Sequence, residues 1–201
     1  MARPRRSEHS RQQLLELGAA MLAEKGYNGT GIKEILDAAN VPKGSFYNFF
    51  DSKEDFAAEI IANYGTELFA KMDAFLASSE SYPPAEVLKT LQLASLKIIE
   101  SSEYRQTCLI GSLASEIAAS SDQCRLQLDN LYERWVARLE RIISRGQQQG
   151  DFRQDIDARV LAELYWNQWQ GSLLRLKVEL ASDGARQTLD AMLRLLYSSE
   201  R

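Results

Sequence analysis

Apolar positions recur along this chain at intervals of three and four residues almost from end to end, the period of helices with one buried face. From about Ser10 to Lys25 the run carries Leu14, Leu15, Leu17, Met21 and Leu22, and Gly26 stops it. Thr30 stands where it can cap a short second helix bearing Ile32, Ile35 and Leu36 and ending near Asn40. Pro42 opens a third helix, because its missing N–H falls among the donors that a first turn leaves unpaired anyway. Ser52 caps a long fourth helix through Phe56, Ile60, Tyr64, Leu68 and Phe75. The stretch "ASSESYPPAE" then breaks the pattern with prolines and serines. Beyond it the spacing predicts helices near 84–102, 104–119, 123–149, 157–181 and 185–198, with "GQQQGD" and "SDGA" separating the last three. The expected fold is all-α with about nine helices: a three-helix head over residues 1–52, a connecting helix over 53–77 and a larger bundle over 78–201.

The composition adds boundaries to that picture. A chain of 201 residues, 45% hydrophobic and 26% charged, can bury a substantial core in one domain or two small ones. No stretch approaches the roughly 18 apolar residues of a membrane span, and the N-terminus lacks an apolar signal region, so a cytoplasmic protein is expected. Cys108 and Cys124 make no disulfide framework, and His9 is the only histidine. A His/Cys metal cage and a histidine-based catalytic set are therefore disfavoured; no metal ligand, no cofactor and no enzymatic activity are expected.

The net charge of −4 conceals an asymmetry: residues 1–50 carry +2 and the remainder −6. Such a split suggests that the head meets a polyanion and the rest does not. Within the head, "PKGSFYNFF" (42–50) is the densest aromatic stretch. On a helix turning about 100° per residue, Phe46, Phe49 and Phe50 share one arc, while Lys43, Gly44, Ser45, Tyr47 and Asn48 occupy the rest. Three aromatics should be buried and Tyr47 turned outward. That outer face suits double-stranded DNA: small residues keep the first turn slim, Lys43 supplies charge, and Tyr47 and Asn48 offer polar contacts to phosphates or base edges. Two short helices joined through "NVP" are spaced as a helix-turn-helix.

Residues 10–64 resemble the DNA-binding region of TetR-type repressors, on the stretch "LLELGAAMLAEKGYNGTGIKEILDAANVPKGSFYNFFDSKEDF". The resemblance implies that Thr30, Lys43, Tyr47 and Lys53 touch the DNA backbone and that Gly44, Ser45 and Asn48 face base edges or nearby phosphates. Many relatives carry histidine at the position of Asn48. Arg3, Arg5 and Arg6 form a basic arm held extended by Pro4, either a minor-groove contact or a diffusely attracted tail. The resemblance further implies a homodimer built mainly by the last two long helices. One recognition helix also reads too few base pairs alone, so a roughly palindromic operator is expected. Leu161, Leu164, Trp169, Leu173, Leu189, Met192 and Leu196 supply apolar material for that seam, although some must build the chain's own core.

Two further stretches, "TCLIGSLASE" (107–116) and "LYWNQWQGSLLRLKVEL" (164–180), resemble a branch of the family that responds to reactive electrophiles such as acrylate-like compounds, quinones and N-ethylmaleimide-like alkylators. That likeness implies sensing by Cys108 with Lys177 as its partner, because a thiolate attacks activated alkenes and is oxidised readily. A small buried thiol is the competing reading of Cys108. Tyr165, Trp166 and Trp169 fit either an effector pocket or the core. The resulting expectation is a homodimeric repressor released from its operator through Cys108. The same fold sensing a non-covalent small-molecule inducer in the helical pocket is the alternative, and a helical enzyme or adaptor without DNA activity is the remote one.

Overall fold

The computed structural model describes residues 6–197, including their side chains apart from those of Arg6, Ser7, Glu8 and Lys43. The described chain is all-helical: α1 (Arg6–Lys25), α2 (Ile32–Ala39), a six-residue 3-10 segment (Lys43–Asn48), α3 (Lys53–Ser78), α4 (Pro84–Ser101), α5 (Leu109–Ile117), α6 (Asp122–Gln148), α7 (Ala158–Glu179) and α8 (Asp183–Leu196). The only β-type pairing among the described residues is an isolated bridge between Phe152 and Tyr197.

The helix ends follow local chemistry. Gly26 adopts a left-handed φ of +73° after α1, a conformation that glycine enters without steric cost. Ser52 Oγ accepts from the Asp55 N–H at 3.0 Å and so caps α3 as expected. Asp157 does the same for α7 through the Arg159 N–H at 2.8 Å. Asn40 and Leu180, both left-handed, end α2 and α7. Three sequence expectations need correction. The residue that enters α2 is Gly31, with no side-chain cap; the Thr30 hydroxyl instead donates back to the carbonyls of Gly26 (2.7 Å) and Met21 (3.3 Å). The segment after Pro42 is a 3-10 turn rather than an α-helix. Finally, α5 begins at Leu109, later than expected, because Glu103 and Tyr104 are both left-handed and hold the preceding stretch out of the helix.

The chain forms two compact units. One comprises the residues up to Leu68 together with Leu109–Leu131; the other runs from Phe69 to Cys108 and from Tyr132 onward. Helices α3 and α6 each contribute to both. The first unit is centred on Leu14, Leu15, Leu22, Ile35, Leu36, Phe46, Phe50, Phe56 and Ile60, all buried. Gly18 permits this packing: the Phe56 ring lies where a β-carbon would stand, 2.4 Å from Cζ. The second unit packs α8 against α7 and α4, with Leu88, Leu96, Tyr165, Trp166, Trp169, Leu173 and Leu189 buried.

Candidate nucleic-acid interface and sensor positions

The segment 42–50 divides its side chains sharply. Phe46 is fully buried and Phe50 nearly so, while Tyr47 between them is 66% exposed. Phe46, Phe50 and Phe56 form a ring cluster with centroids 4.7–5.4 Å apart, in tilted and edge-on arrangements, each buried ring contributing roughly 1.5–3 kcal/mol. Gly44, Tyr47 and Asn48 are exposed, Ser45 and Phe49 half-buried. A β-carbon at Gly44 would meet nothing within 4 Å, so this side of the segment is open as well as slim. The division matches the aromatic spacing for Phe46, Phe50 and the outward Tyr47, whereas Phe49, expected inside with them, is only half-buried. Phe50 N still bonds Phe46 O across four residues at 3.0 Å despite the change from α to 3-10.

A second group joins the turn after α1 to the start of α3. Tyr27 donates its hydroxyl to Glu54 Oε1 at 3.0 Å, and Lys53 Nζ donates to the Tyr27 carbonyl at 2.5 Å while lying 4.0 Å from the Tyr27 ring centroid. Burial and the Glu54 carboxylate raise the Tyr27 phenol, burial lowers the Lys53 ammonium, and the Glu54 carboxyl is held below its usual range by the backbone N–H and by the Tyr27 and Ser52 hydroxyls. Lys53 is therefore part of the joint between the α1–α2 turn and the start of α3 in the unbound chain. Thr30 is also inside, with its hydroxyl engaged, so a phosphate contact through that side chain is not what the structure presents. Arg3 and Arg5 lie outside the described residues, as do the side chains of Arg6 and Lys43.

The structure separates the two thiols. Cys124 is buried, its Sγ donates to the Glu54 carbonyl at 3.4 Å, and burial pushes its thiol up. Cys108 is half-buried, and its sulfur accepts from Gln170 Nε2 at 3.4 Å. Lys177, its expected partner, is instead an exposed residue in the last turn of α7, where a cation suits the helix dipole. Tyr165 is buried and donates to the Leu88 carbonyl at 2.9 Å; Trp166 packs on Trp135 at 4.9 Å, and Trp169 is buried nearby in sequence.

Most of the residues expected at a dimer seam lie inside the chain itself. Leu161, Leu173, Leu189, Met192 and Leu196 are buried in the second unit; of that set only Leu164 is exposed. The outward apolar row of α7 is Val160, Leu164, Leu174 and Val178, the last two 72% and 82% exposed, with Asn167 and Gly171 completing steps of four and three. Of this row only Leu164 was expected at the seam, although the heptad-like spacing that joins it to Val160, Leu174 and Val178 stands in the sequence.

With this geometry in hand, similarity to known proteins decides the family. Residues 14–60 match the family described as bacterial regulatory proteins, tetR family, and residues 84–192 match the tetracyclin repressor-like C-terminal domain. The chain belongs to the TetR family. The HTH-type transcriptional repressor DhaR of Mycobacterium sp. (strain GP1) is 34% identical over 94% of this chain and 91% of its own length. The crystal structure of a regulatory protein TetR from Rhodobacter sphaeroides superposes with a TM-score of 0.86 at 33% identity, covering 93% of this chain and 98% of that one. The HTH-type transcriptional repressor NemR of Escherichia coli (strain K12) is a more distant relative, 25% identical over 86% of each chain. The protein is thus a TetR-type DNA-binding transcriptional repressor; its family comprises regulators, not enzymes, that act on operator DNA as dimers. No described helix is long and apolar enough to cross a membrane.

Proposed function

We propose that this TetR-family protein is a cytoplasmic homodimeric repressor that reads a roughly palindromic operator with the outer face of residues 43–48 and is released by a reactive electrophile or oxidant at Cys108. The observation that carries the DNA reading is the exposed Tyr47 flanked by buried Phe46 and Phe50. Gly44 and Ser45 let the segment approach base edges, Tyr47 and Lys43 bind phosphates, and Asn48 reaches a phosphate or an adenine edge. The outward row Val160, Leu164, Leu174 and Val178 supplies the dimer seam on α7. The Cys108 reading is supported by the resemblance of residues 107–116 and 164–180 to the electrophile-responsive branch, by partial exposure of this thiol where Cys124 is shut in, and by the Gln170 amide already donating to its sulfur. Release is a population shift: modification favours a conformation with low operator affinity.

The test is a fluorescence titration of the promoter upstream of the protein's own gene, with acrylate, a quinone and hypochlorite added in separate wells. Cys108→Ser should bind the promoter as the wild type does and ignore all three agents. Undiminished release of Cys108→Ser sinks the thiol mechanism and leaves the DNA reading intact. A specific observation favours a second reading, induction by a non-covalent ligand. The side-chain oxygens of Gln92 and Gln168 are buried without a hydrogen-bond partner among the described residues, a state costing about 1–3 kcal/mol each that a donor on a ligand would relieve.

A further inference from the structure

The second unit carries a row of cations that neither DNA binding nor thiol chemistry uses. Along α6, Arg134, Arg138, Arg141 and Arg145 follow at steps of four, three and four, on one helix face. Two are tied down: the Arg134 and Arg138 guanidinium carbons each lie 4.3 Å from the Phe69 ring centroid, and Arg138 also grips Asp73 with two bonds of 2.8 and 2.6 Å. Arg145 donates both terminal nitrogens to the Glu80 and Tyr82 carbonyls at 2.8 and 2.9 Å, yet its Nε is buried with no hydrogen-bond partner among the described residues. Arg141 is the loose member. Its side chain is 69% exposed, and its one ion pair among the described residues is with the Asp73 carboxylate, already held by Arg138, at 3.9 Å.

Arg138, Arg141 and Arg145 open onto a cavity of about 650 Å³ lined also by Asp73, Glu80 and the apolar side chains of Leu76, Val87 and Ile142. That volume is ordinary for a small-molecule site. Three guanidiniums against two carboxylates leave one positive charge, matched by one negative charge and overcompensated by two. The apolar wall continues: a second cavity of about 510 Å³ shares Ser79 and Val87 with the first and adds the rings of Phe75 and Tyr82.

We infer that this cleft binds a monocarboxylate with a short apolar tail. The carboxylate takes the loosely held guanidinium of Arg141, a planar donor fork suited to two parallel bonds, in place of its long contact to Asp73. The tail lies along Leu76, Val87 and Ile142 toward Phe75. This site is independent of the operator and of Cys108.

The experiment is isothermal titration calorimetry of the full chain with hexanoate, hexanol and hexyl phosphate. Hexanoate should bind saturably, and Arg141→Gln should weaken it by about tenfold or more with an unchanged melting temperature, since a charge-assisted bond is lost from an exposed side chain. Hexanol should bind at least about tenfold more weakly, because it leaves the cation uncompensated. Cys108→Ser should bind hexanoate as the wild type does, which separates this outcome from that of the sensor thiol. Absence of saturable hexanoate binding, indifference to Arg141→Gln, or hexanol binding as tightly as hexanoate would overturn the site. Hexyl phosphate binding more tightly than hexanoate would overturn its assignment to a monoanion.

Discussion

Replacing Tyr47 and Phe46 separately by alanine tests the reading head most directly, because the two residues are adjacent in sequence and opposite in burial. Phe46 is fully buried and packs on Phe50 and Phe56, so truncation removes a core ring at about 3–5 kcal/mol. In a chain of this length each kcal/mol shifts the melting temperature by roughly 2–4 °C, so Phe46→Ala should melt some 6–20 °C lower. Tyr47 is 66% exposed and its main folded contact is an edge-on approach to Phe46 at 5.4 Å, worth about 0.5–1.5 kcal/mol. Tyr47→Ala should therefore melt within about 5 °C of the wild type.

Operator affinity should respond in the opposite order. A hydrogen bond from the Tyr47 hydroxyl to a charged phosphate oxygen is worth about 1.5–3 kcal/mol. A two-fold dimer makes it twice, so Tyr47→Ala should lose roughly 10²- to 10⁴-fold in Kd. Fluorescence anisotropy on a labelled operator gives the affinity, and differential scanning calorimetry gives the melt. The reasoning fails if Tyr47→Ala melts as early as Phe46→Ala, or if it binds the operator within twofold of the wild type.

Three further outcomes follow from the same structure. Operator affinity should fall by about 10³-fold or more between roughly 50 and 200 mM salt, read as the slope of log Kd against log salt; a flat slope would mean that phosphates are not the target. The double substitution Leu174→Asp and Val178→Asp should give monomers in analytical ultracentrifugation with unchanged helicity, since neither side chain is buried within the chain; a persisting dimer would move the seam elsewhere. Glu54→Gln should lower the urea midpoint near neutral pH and lose that penalty in acid. The folded Glu54 carboxyl sits below its usual range, so the native state binds fewer protons than the unfolded one. Its contribution is complete above the unfolded value of about 4.3 and disappears as the pH falls through the folded value. A penalty that grows in acid would contradict the assignment.

The element order and the inward–outward split of the head were legible because both rest on periodicity. Phe46 and Phe50 had to lie inward once Tyr47 faced out, whichever helix type held them. The helix type itself was not legible: six residues are too few to separate a rotation of about 100° from about 120° per residue. Thr30 illustrates another limit. A threonine hydroxyl before a helix can accept from the next turn or donate to the previous one, and local sequence does not rank the two. Here the hydroxyl went mainly to the carbonyl of Gly26, just past the end of α1, with a longer contact to Met21 inside the helix. The late start of α5 depends on two consecutive left-handed residues, Glu103 and Tyr104, that are not glycine and so carry no signal.

Helix α7 shows why core and seam were confused. Its apolar residues form two interleaved rows: Leu161, Tyr165, Trp169, Leu173 and Leu176 are buried, while Val160, Leu164, Leu174 and Val178 are exposed. Each row alone has helical spacing, so a reading that seeks one buried face merges them and assigns the bulkier leucines wherever a seam is wanted. A helix apolar on both sides is a helix covered on both sides. The chain itself covers one of them. On the other, Gly171 leaves open space where a β-carbon would project, between Leu164 and Leu174. A second backbone can approach closely there, which is what a two-fold copy of the same helix requires. A reading segment of six residues gives the reason for such a copy: too short to select an operator by itself, it needs a twin held at a fixed distance. Under the proposed seam and reading face, the exposed leucines and valines of α7 and the exposed tyrosine of the head serve one requirement, and loss of the first should weaken operator binding even with the second untouched.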